Sequence, residues 1–301
     1  MDELTAAGIK DPQLRASYAE CKRLNALHGK TYFLATLLLP KARRPFVHAL
    51  YGFARLADEI VDDRASTLTR SERANTFHTW SEKILSDLKS GTSDDAVGRA
   101  LIDTVARFDI PYAHFEAFLH SMAMDLTVQE YQSYGDLMKY VYGSAAVIGL
   151  EMLPILGVIN GDAYESAKKL GIAFQLANFI RDIDEDLDRG RIYLPIQELA
   201  AHGVTREMLA ARVLTPEIVS ALKFQIQRVR QLQVEAAPGI EMLEPKSRPC
   251  IEAASELYCG IVDEVEKIGY DIFNQRAKVS AARRMRVAGR AYVKRLLLRS
   301  S

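Results

Sequence analysis

Residues 54–63 read ARLADEIVDD, and this acidic stretch within an otherwise apolar helical segment decides how the chain is interpreted. Each residue of an α-helix turns by about 100°, so acids four positions apart lie on one face, one turn above the other. Glu59 and Asp63 are expected to point away from that face. The side chains expected to share it are two carboxylates, a guanidinium and a phenol: Asp58, Asp62, Arg55 and Tyr51.

Residues 170–195, LGIAFQLANFIRDIDEDLDRGRIYLP, repeat the arrangement more than a hundred residues later. Their surroundings are apolar, because Leu176, Ala177, Phe179 and Ile180 cover the rest of the helix surface. Carboxylates on such a helix are costly to bury unless they pair with cations or bind metal. The polar stripe consists of residues spaced by three, four and four: Gln175, Asn178, Asp182 and Asp186.

Three interpretations of the two acidic stripes are open from the residues alone. Each could be a solvated helix face, which is common for an isolated D-x-x-x-D pattern. Each could form buried ion pairs with nearby arginines, namely Arg55, Arg181, Arg189 or Arg191. Together they could hold Mg²⁺, which binds hard oxygen ligands and usually keeps water and phosphate oxygens as well. The third interpretation implies a phosphate ester as substrate.

The segments around these stripes predict an all-α protein, because helical periodicity is widespread and hairpin signals are missing. No linker or repeat separates domains, so we expect residues 1–301 to form a single domain. Thr69 or Ser71 is expected to cap a helix. Prolines mark the ends of several predicted helices, and Pro154 is expected to interrupt the helical segment that contains it. The predicted helices are 13–27, 43–63, 71–89, 97–108, 111–127, 134–157, 163–187, 216–236, 249–273 and 280–298.

Composition narrows the class of protein. The 301 residues are 49% hydrophobic, enough for a core that can also enclose a cavity. Lys plus Arg and Asp plus Glu number 39 each, so no nucleic-acid partner is expected. Three scattered cysteines favour a reducing cytoplasm. The apolar runs are too short to span a bilayer, so a cytoplasmic protein is expected, at most peripheral at the membrane.

Both acidic stretches resemble the hallmarks of the squalene/phytoene synthase family, the head-to-head isoprenoid synthases. YGFARLADEIVDD (51–63) is similar to the first aspartate motif, and QLANFIRDIDEDLDRGRIYLP (175–195) to the second. HGKTYFLATLLLP (28–40) is similar to the N-terminal H-S-K-T-F segment, with Gly29 where serine is common. Residues 123–157, with Asp125 and Tyr140, resemble the middle region of bacterial phytoene synthases, and 270–292 resemble the phytoene-synthase C-terminus.

The resemblance implies a helical bundle around a central apolar cavity, with the two motifs facing each other across its mouth. It implies a Mg²⁺-dependent prenyltransferase, with Mn²⁺ able to replace Mg²⁺, that joins two geranylgeranyl diphosphates through prephytoene diphosphate to phytoene in carotenoid biosynthesis. Release of a proton ends that reaction, so no NADPH is expected. Prenyl diphosphates are the expected partners.

The resemblance also assigns roles to individual residues. Those expected in catalysis are Asp58, Asp62, Asp182, Asp186 and Tyr140. The metal ligands are expected to be the same four aspartates and Asn178. The residues expected to bind substrate are Lys30, Tyr51, Arg55, Gln175, Arg181, Arg191 and Tyr258. The aromatic candidates for stabilising carbocations are Phe33, Tyr51, Tyr140 and Phe174.

Other functions stay open at this stage. A family member could instead use farnesyl diphosphate to make squalene, dehydrosqualene or a hopanoid precursor. The chain could also be a non-catalytic helical scaffold or partner subunit, although unliganded acidic stripes would then be costly. A head-to-tail prenyltransferase or terpene cyclase would carry D-D-x-x-D, which neither motif supplies.

The C-terminal segment is basic, because nine Lys or Arg and no acid follow Asp271. Met285, Ala288, Tyr292 and Leu296 form a narrow apolar stripe along it. Two interpretations are open: a helix near 280–298 that contacts anionic lipid, or a helix packed on the bundle with solvated arginines.

Overall fold

The computed structural model describes residues 1–62 and 68–298, and the regular structure within those ranges is helical. Pairing of strand type is limited there to two isolated bridges, Glu130 with Ile192 and Val158 with Leu243. The all-α prediction is therefore confirmed. Asp63 and Arg299 lie outside the described residues.

The first half of the chain follows the predicted helix pattern closely. Asp11 caps α2, with Pro12 in the first turn, and Thr69 forms a capping box with Glu72 at the start of α5. The sequence had offered no signal for two short helices, α1 and α3. The helices are α1 (Glu3–Ala6), α2 (Pro12–His28), α3 (Lys30–Thr36), α4 (Arg44–Asp62), α5 (Arg70–Ser90), α6 (Ala96–Phe108) and α7 (Tyr112–Met124).

The middle of the chain departs from the prediction at two points. Pro154 does not interrupt its segment, because it lies inside α9 and the helix ends only at Leu156. The predicted helix 163–187 breaks at Asp182, whose backbone has φ −102° and ψ 13°. The elements are α8 (Tyr134–Val141), a π-helical turn (Tyr142–Ala146), α9 (Val147–Leu156), α10 (Tyr164–Arg181) and α11 (Ile183–Asp188).

The C-terminal part contains one helix longer than predicted and one that is broken. α14 continues past Pro238, and the predicted helix 249–273 breaks at Gly260, where a side chain would collide with the Arg283 guanidinium. Its second part ends before Gly269 and Tyr270, which have positive φ. The helices are α12 (Ile196–Ala201), α13 (Arg206–Ala211), α14 (Pro216–Glu241), α15 (Arg248–Cys259), α16 (Ile261–Lys267) and α17 (Ala281–Leu297).

Helix α10 packs against α9, the π-helical turn, α14, α15 and α16. Glycine permits the closest approaches. A Cβ on Gly171 would lie 2.4 Å from the carbonyl oxygen of Ala145, and one on Gly239 would lie 2.2 Å from Cβ of Ser166. These contacts bring α10 close to its neighbours, and its polar stripe faces the cavities described below.

Two further predictions concern the cysteines and the possibility of a membrane-spanning helix. All three cysteines are free and buried, so they form no disulfide. Among the described residues, no helix combines the length and the apolar composition needed to cross a membrane.

Candidate active site

A polar mouth and an apolar cavity lie next to each other inside the bundle. The apolar cavity has a volume of about 290 Å³ and the mouth about 360 Å³. Six residues line both, so the two spaces adjoin along a common wall: Tyr51, Ala54, Phe118, Ser144, Gln175 and Asn178. A ligand with a charged head and an apolar tail could therefore place each part in a matching environment.

The first acidic motif lies at the C-terminal end of α4 and faces the mouth. Asp58 and Asp62 both line it, as the helical spacing predicted. Arg55 donates to Oδ2 of Asp58 at 2.7 Å and to Oε1 of Glu59 at 3.0 Å. Glu59 is not among the residues that line either cavity, which agrees with the prediction that it points elsewhere.

The second motif reaches the same mouth from α10 and α11. Gln175, Asn178, Asp182 and Asp186 all line it, although the helix breaks at Asp182. The break keeps the four side chains on one side, because α11 resumes immediately at Ile183.

Arginines connect the two motifs directly. Nε of Arg189 lies 3.8 Å from Oδ2 of Asp62, and its Nη1 lies 3.2 Å from Oδ1 of Asp186. Arg191 donates to Oδ1 of Asp62 at 3.0 Å and to the backbone oxygen of Asp125 at 3.0 Å. The Arg189 guanidinium thus contacts an acid of each motif, so the two stripes lie close together across the mouth.

A third cation comes from the basic C-terminal segment. Arg276 contacts Oδ1 of Asp182 at 2.9 Å and Oε1 of Glu185 at 2.8 Å, while Arg181 pairs with Asp182. In the sequence, Arg276 is one of the nine basic residues that follow Asp271. Its position nearly a hundred residues from Asp182 gives no local signal that could have revealed the contact.

Two acids of the mouth, Asp186 and Asp58, are held in surroundings that disfavour their charged form. Burial and the neighbouring Asp182 carboxylate raise the pKa of Asp186 to about 7, although Arg189 and Arg191 oppose the shift. Desolvation in the cleft and the nearby Asp62 also raise the pKa of Asp58. A site of this kind would bind additional positive charge favourably.

The donor set fits a divalent cation that also binds other oxygens. No three His, Cys, Asp or Glu side chains within residues 1–62 and 68–298 approach closely enough to hold an ion on their own. Mg²⁺ needs only one or two carboxylates besides water and phosphate. Oδ1 of Asn178 is buried beside the aspartates and has no hydrogen-bond partner among the described residues. This oxygen and the aspartate oxygens are the hard ligands that Mg²⁺ prefers.

A network of hydrogen-bonded side chains forms part of the wall of the mouth. Asp125, which is 6% exposed, accepts hydrogen bonds of 2.8 Å from the hydroxyls of both Tyr140 and Tyr193. Burial raises the pKa of Asp125 to about 6. Tyr193 stacks on Phe179 with ring centroids 4.2 Å apart. No role was predicted for Tyr193 from the sequence, although it is the tyrosine of the R-x-Y-L-P segment.

Two predicted residues are not brought into the site. Lys30 is exposed at the start of α3 and lines neither cavity, because the residues of α3 that face inward are Tyr32, Ala35 and Thr36. Phe33, proposed for carbocation stabilisation, stacks on His48 instead.

The remaining predicted residues line one cavity or both. Tyr258 lies in the wall of the apolar cavity and stacks on Phe174 at 4.8 Å, and burial raises its pKa above the usual range. The mouth is lined by the other members of the predicted set, namely Tyr51, Arg55, Tyr140, Arg181 and Arg191.

Comparison with known proteins yields one consistent group of relatives. A family model described as squalene/phytoene synthase matches residues 26–283. The phytoene synthase of Arthrospira platensis is 35% identical over 291 residues, which cover 92% of this chain and 93% of that protein. The chloroplastic phytoene synthase 1 of Arabidopsis thaliana is 36% identical over 295 residues, covering 96% and 69%. Among solved structures, a dehydrosqualene synthase in complex with ligand superposes with a TM-score of 0.86 at 26% identity, over 100% of both chains.

Proposed function

The chain belongs to the squalene/phytoene synthase family, and we propose that it is an isoprenoid prenyltransferase that condenses two geranylgeranyl diphosphates head to head, through prephytoene diphosphate, to phytoene. The observation that carries this proposal is the shared wall between an acidic mouth and an apolar cavity. A prenyl diphosphate has the same two parts, a multiply charged head and a long hydrocarbon tail.

The mouth would bind the diphosphate together with divalent cations. Asp58 and Asp62 from one helix, with Asp182, Asp186 and Asn178 from the other, are the side chains that would hold Mg²⁺. The bound metal would neutralise charge on the leaving diphosphate, a Lewis-acid contribution to ionisation. The arrangement of carboxylates on both sides of one opening supports this assignment.

The arginines would help to bind and orient the diphosphate. Arg55, Arg181 and Arg191 pair with aspartates of the mouth through their guanidinium nitrogens. A guanidinium can bond two oxygens at once, so the same groups can bind phosphate oxygens while they remain near the carboxylates. Arg189 and Arg276 join this set because they contact Asp62, Asp186 and Asp182.

The apolar cavity would protect the carbocations from water. Its wall is formed mainly by aliphatic side chains, with Tyr51, Phe174 and Tyr258 presenting aromatic surface. Each aromatic face adds roughly 0.5–2 kcal/mol of cation–π attraction to a desolvated cation. Enclosure by apolar residues also limits capture of the cation by water.

Tyr140 would act from the wall of the mouth. Its hydroxyl is fixed by Asp125, which also fixes Tyr193, so the ring keeps one orientation beside the mouth. Burial and the adjacent Asp125 raise the pKa of Tyr140 far above its usual range. The hydroxyl therefore keeps its proton, and its role is to position the reacting chain.

A product assay tests the proposal. The purified protein is incubated with Mg²⁺ and either geranylgeranyl or farnesyl diphosphate, with and without NADPH, and the hydrocarbon is identified by mass. We expect phytoene from geranylgeranyl diphosphate without NADPH, and no product when EDTA removes the metal.

The likeness to a dehydrosqualene synthase favours a second candidate, a C30 product from farnesyl diphosphate. The same assay distinguishes the two, because a C30 hydrocarbon as the preferred product would replace phytoene synthesis by this alternative. Absence of turnover with both substrates would contradict an enzymatic role and favour a scaffold.

A further inference from the structure

Helix α17 is attached to the bundle by its cationic side. Val287 and Ala291 are buried against neighbouring elements, at 1% and 7% exposure. Arg283 pairs with Asp263 at 2.9 Å and with Glu264 at 3.1 Å. Farther along the helix, Arg290 and Lys294 pair with Glu256 and Glu252 of α15. Charged residues that a surface helix would normally turn to solvent therefore serve to fix α17 in place.

The opposite side of α17 faces solvent and is apolar. With a turn of about 100° per residue, positions 282, 285, 289, 292, 293 and 296 lie opposite Val287 and Ala291. We call these six residues the outer stripe: Ala282, Met285, Gly289, Tyr292, Val293 and Leu296. Met285 is 69% exposed, Val293 56%, Tyr292 51% and Leu296 43%. No charged residue lies within the stripe, so a continuous apolar surface faces outward.

Basic residues border the outer stripe. Arg286 lies next to Val293 at one edge of the stripe, and Arg284 lies on the other side of the helix, between the stripe and the buried Ala291. Within the described ranges, no carboxylate lies within 4.0 Å of either guanidinium, whereas the other arginines at positions 283 and 290 are paired. The sequence has no acid after Asp271. An apolar stripe bordered by an uncompensated cation is typical of helices that lie in the interface of an anionic membrane.

We propose that the outer stripe of α17, with Arg284 and Arg286, is a docking surface for anionic lipid bilayers. Met285, Tyr292, Val293 and Leu296 would enter the boundary between headgroups and acyl chains, and the two arginines would contact lipid phosphates. A second copy of the chain fits this surface less well, because pairing two outer stripes would bring the uncompensated Arg286 of each copy together.

The position of α17 relative to the cavity makes this surface useful, a point that rests on the proposed function. α17 packs on α15, which contributes Cys250, Ile251, Ala254 and Tyr258 to the apolar cavity wall. Nη1 of Arg295 also donates to the backbone oxygen of Leu37, directly after α3. Docking would therefore place the membrane one helix away from the cavity that holds prenyl chains and a hydrocarbon product.

Vesicle co-sedimentation of the full-length protein tests the proposal. The vesicles contain phosphatidylcholine alone or phosphatidylcholine with one third phosphatidylglycerol, and no substrate is present. The wild type is expected to sediment with the anionic vesicles and to partition about 25-fold less onto neutral ones. Met285→Ser/Tyr292→Ser/Leu296→Ser should lose binding to both. Arg284→Gln/Arg286→Gln should weaken anionic binding by about 25-fold, since each of the two cations near the surface contributes about fivefold.

A matched control and an independent variant complete the design. Ile159→Ser/Val213→Ser/Val234→Ser removes three apolar side chains that are 55%, 61% and 68% exposed elsewhere, and it should bind as the wild type does. Arg284→Glu/Arg286→Glu should abolish anionic binding and tests the surface even if the triple serine variant fails to fold.

Three results would overturn the proposal. The first is a wild type that does not sediment with anionic vesicles. The second is a folded outer-stripe variant, or the charge-reversed variant, that binds as well as the wild type. The third is a dimer in sedimentation velocity that the outer-stripe variant dissociates, which would assign the surface to a second copy. Since no substrate is used, failure of phytoene synthesis would leave these results unaffected.

Discussion

Glu151 provides a direct test of the fold, because its carboxyl group is fully buried in the helical core. It lies on α9 at 0% exposure, between Val147 and Ile155 on the same helix face, which are equally buried. Neither side-chain oxygen has a hydrogen-bond partner among the described residues. Burial raises the pKa of Glu151 from 4.5 to about 8. The folded protein therefore holds this side chain as a neutral acid at pH 7.

Replacement by glutamine keeps the shape and removes the titration. The folded pKa lies above the unfolded one, so the stability associated with the neutral carboxyl is complete below pH 4.5 and is lost as pH rises through about 8. At about 1.36 kcal/mol per pH unit, the wild type should lose roughly 2 kcal/mol by pH 6 and roughly 4 kcal/mol by pH 8. Glu151→Gln should not show this loss.

The assay is urea unfolding followed by circular dichroism at several pH values between 5 and 8.5. The free energy of unfolding of Glu151→Gln minus that of the wild type should increase with pH across this range. Glu116→Gln, which removes a surface carboxylate 48% exposed beside Lys89, should show no comparable trend. A difference between Glu151→Gln and the wild type that stays constant with pH would refute the reasoning, because the carboxyl would then be ionised or paired in the folded state.

Four further substitutions test the site and its packing. Asp58→Asn and Asp186→Asn should each lower kcat for phytoene formation by about a hundredfold or more. The helical circular dichroism signal should stay unchanged. Loss of folding would instead indicate that these aspartates form structural ion pairs. Gly143→Ala should destabilise the protein by about 1–3 kcal/mol in urea unfolding. The reason is that the alanine Cβ would lie 2.1 Å from a backbone oxygen of α7. A stabilised variant would contradict this close packing. Tyr193→Phe should cost about 1 kcal/mol, since one hydrogen bond to Asp125 is lost, and an unchanged free energy of unfolding would show that this bond contributes nothing.

Much of the helical architecture follows from local signals in the sequence. The helix around residues 44–62 and the Thr69 cap were predicted correctly, because apolar periodicity and capping chemistry depend on near neighbours. Breaks at Asp182 and Gly260 were missed. At Gly260 a side chain would collide with the guanidinium of Arg283 from a distant helix, a contact that no local pattern reveals.

The candidate site was predicted where it depends on the spacing of residues along one helix, and missed where it depends on contacts between distant segments. Helical spacing placed Asp58 with Asp62 on one face, and the structure adds that Arg189 contacts acids of both motifs. The roles of Arg276 and Tyr193 depend on tertiary contacts and could not be inferred from spacing. Lys30 was expected at the site through motif similarity, but the orientation of α3 turns it to solvent.

The central claim is that two distant acidic motifs form one metal and diphosphate site. Mn²⁺ binding, followed by the electron paramagnetic resonance signal of the free ion in the presence of an unreactive geranylgeranyl thiodiphosphate, tests it most directly. Asp58→Asn on α4 and Asp186→Asn on α11 should both weaken Mn²⁺ binding, while Asp94→Asn, an exposed control, should not. If substitution in one motif weakens binding and substitution in the other leaves it unchanged, the two motifs do not share a site.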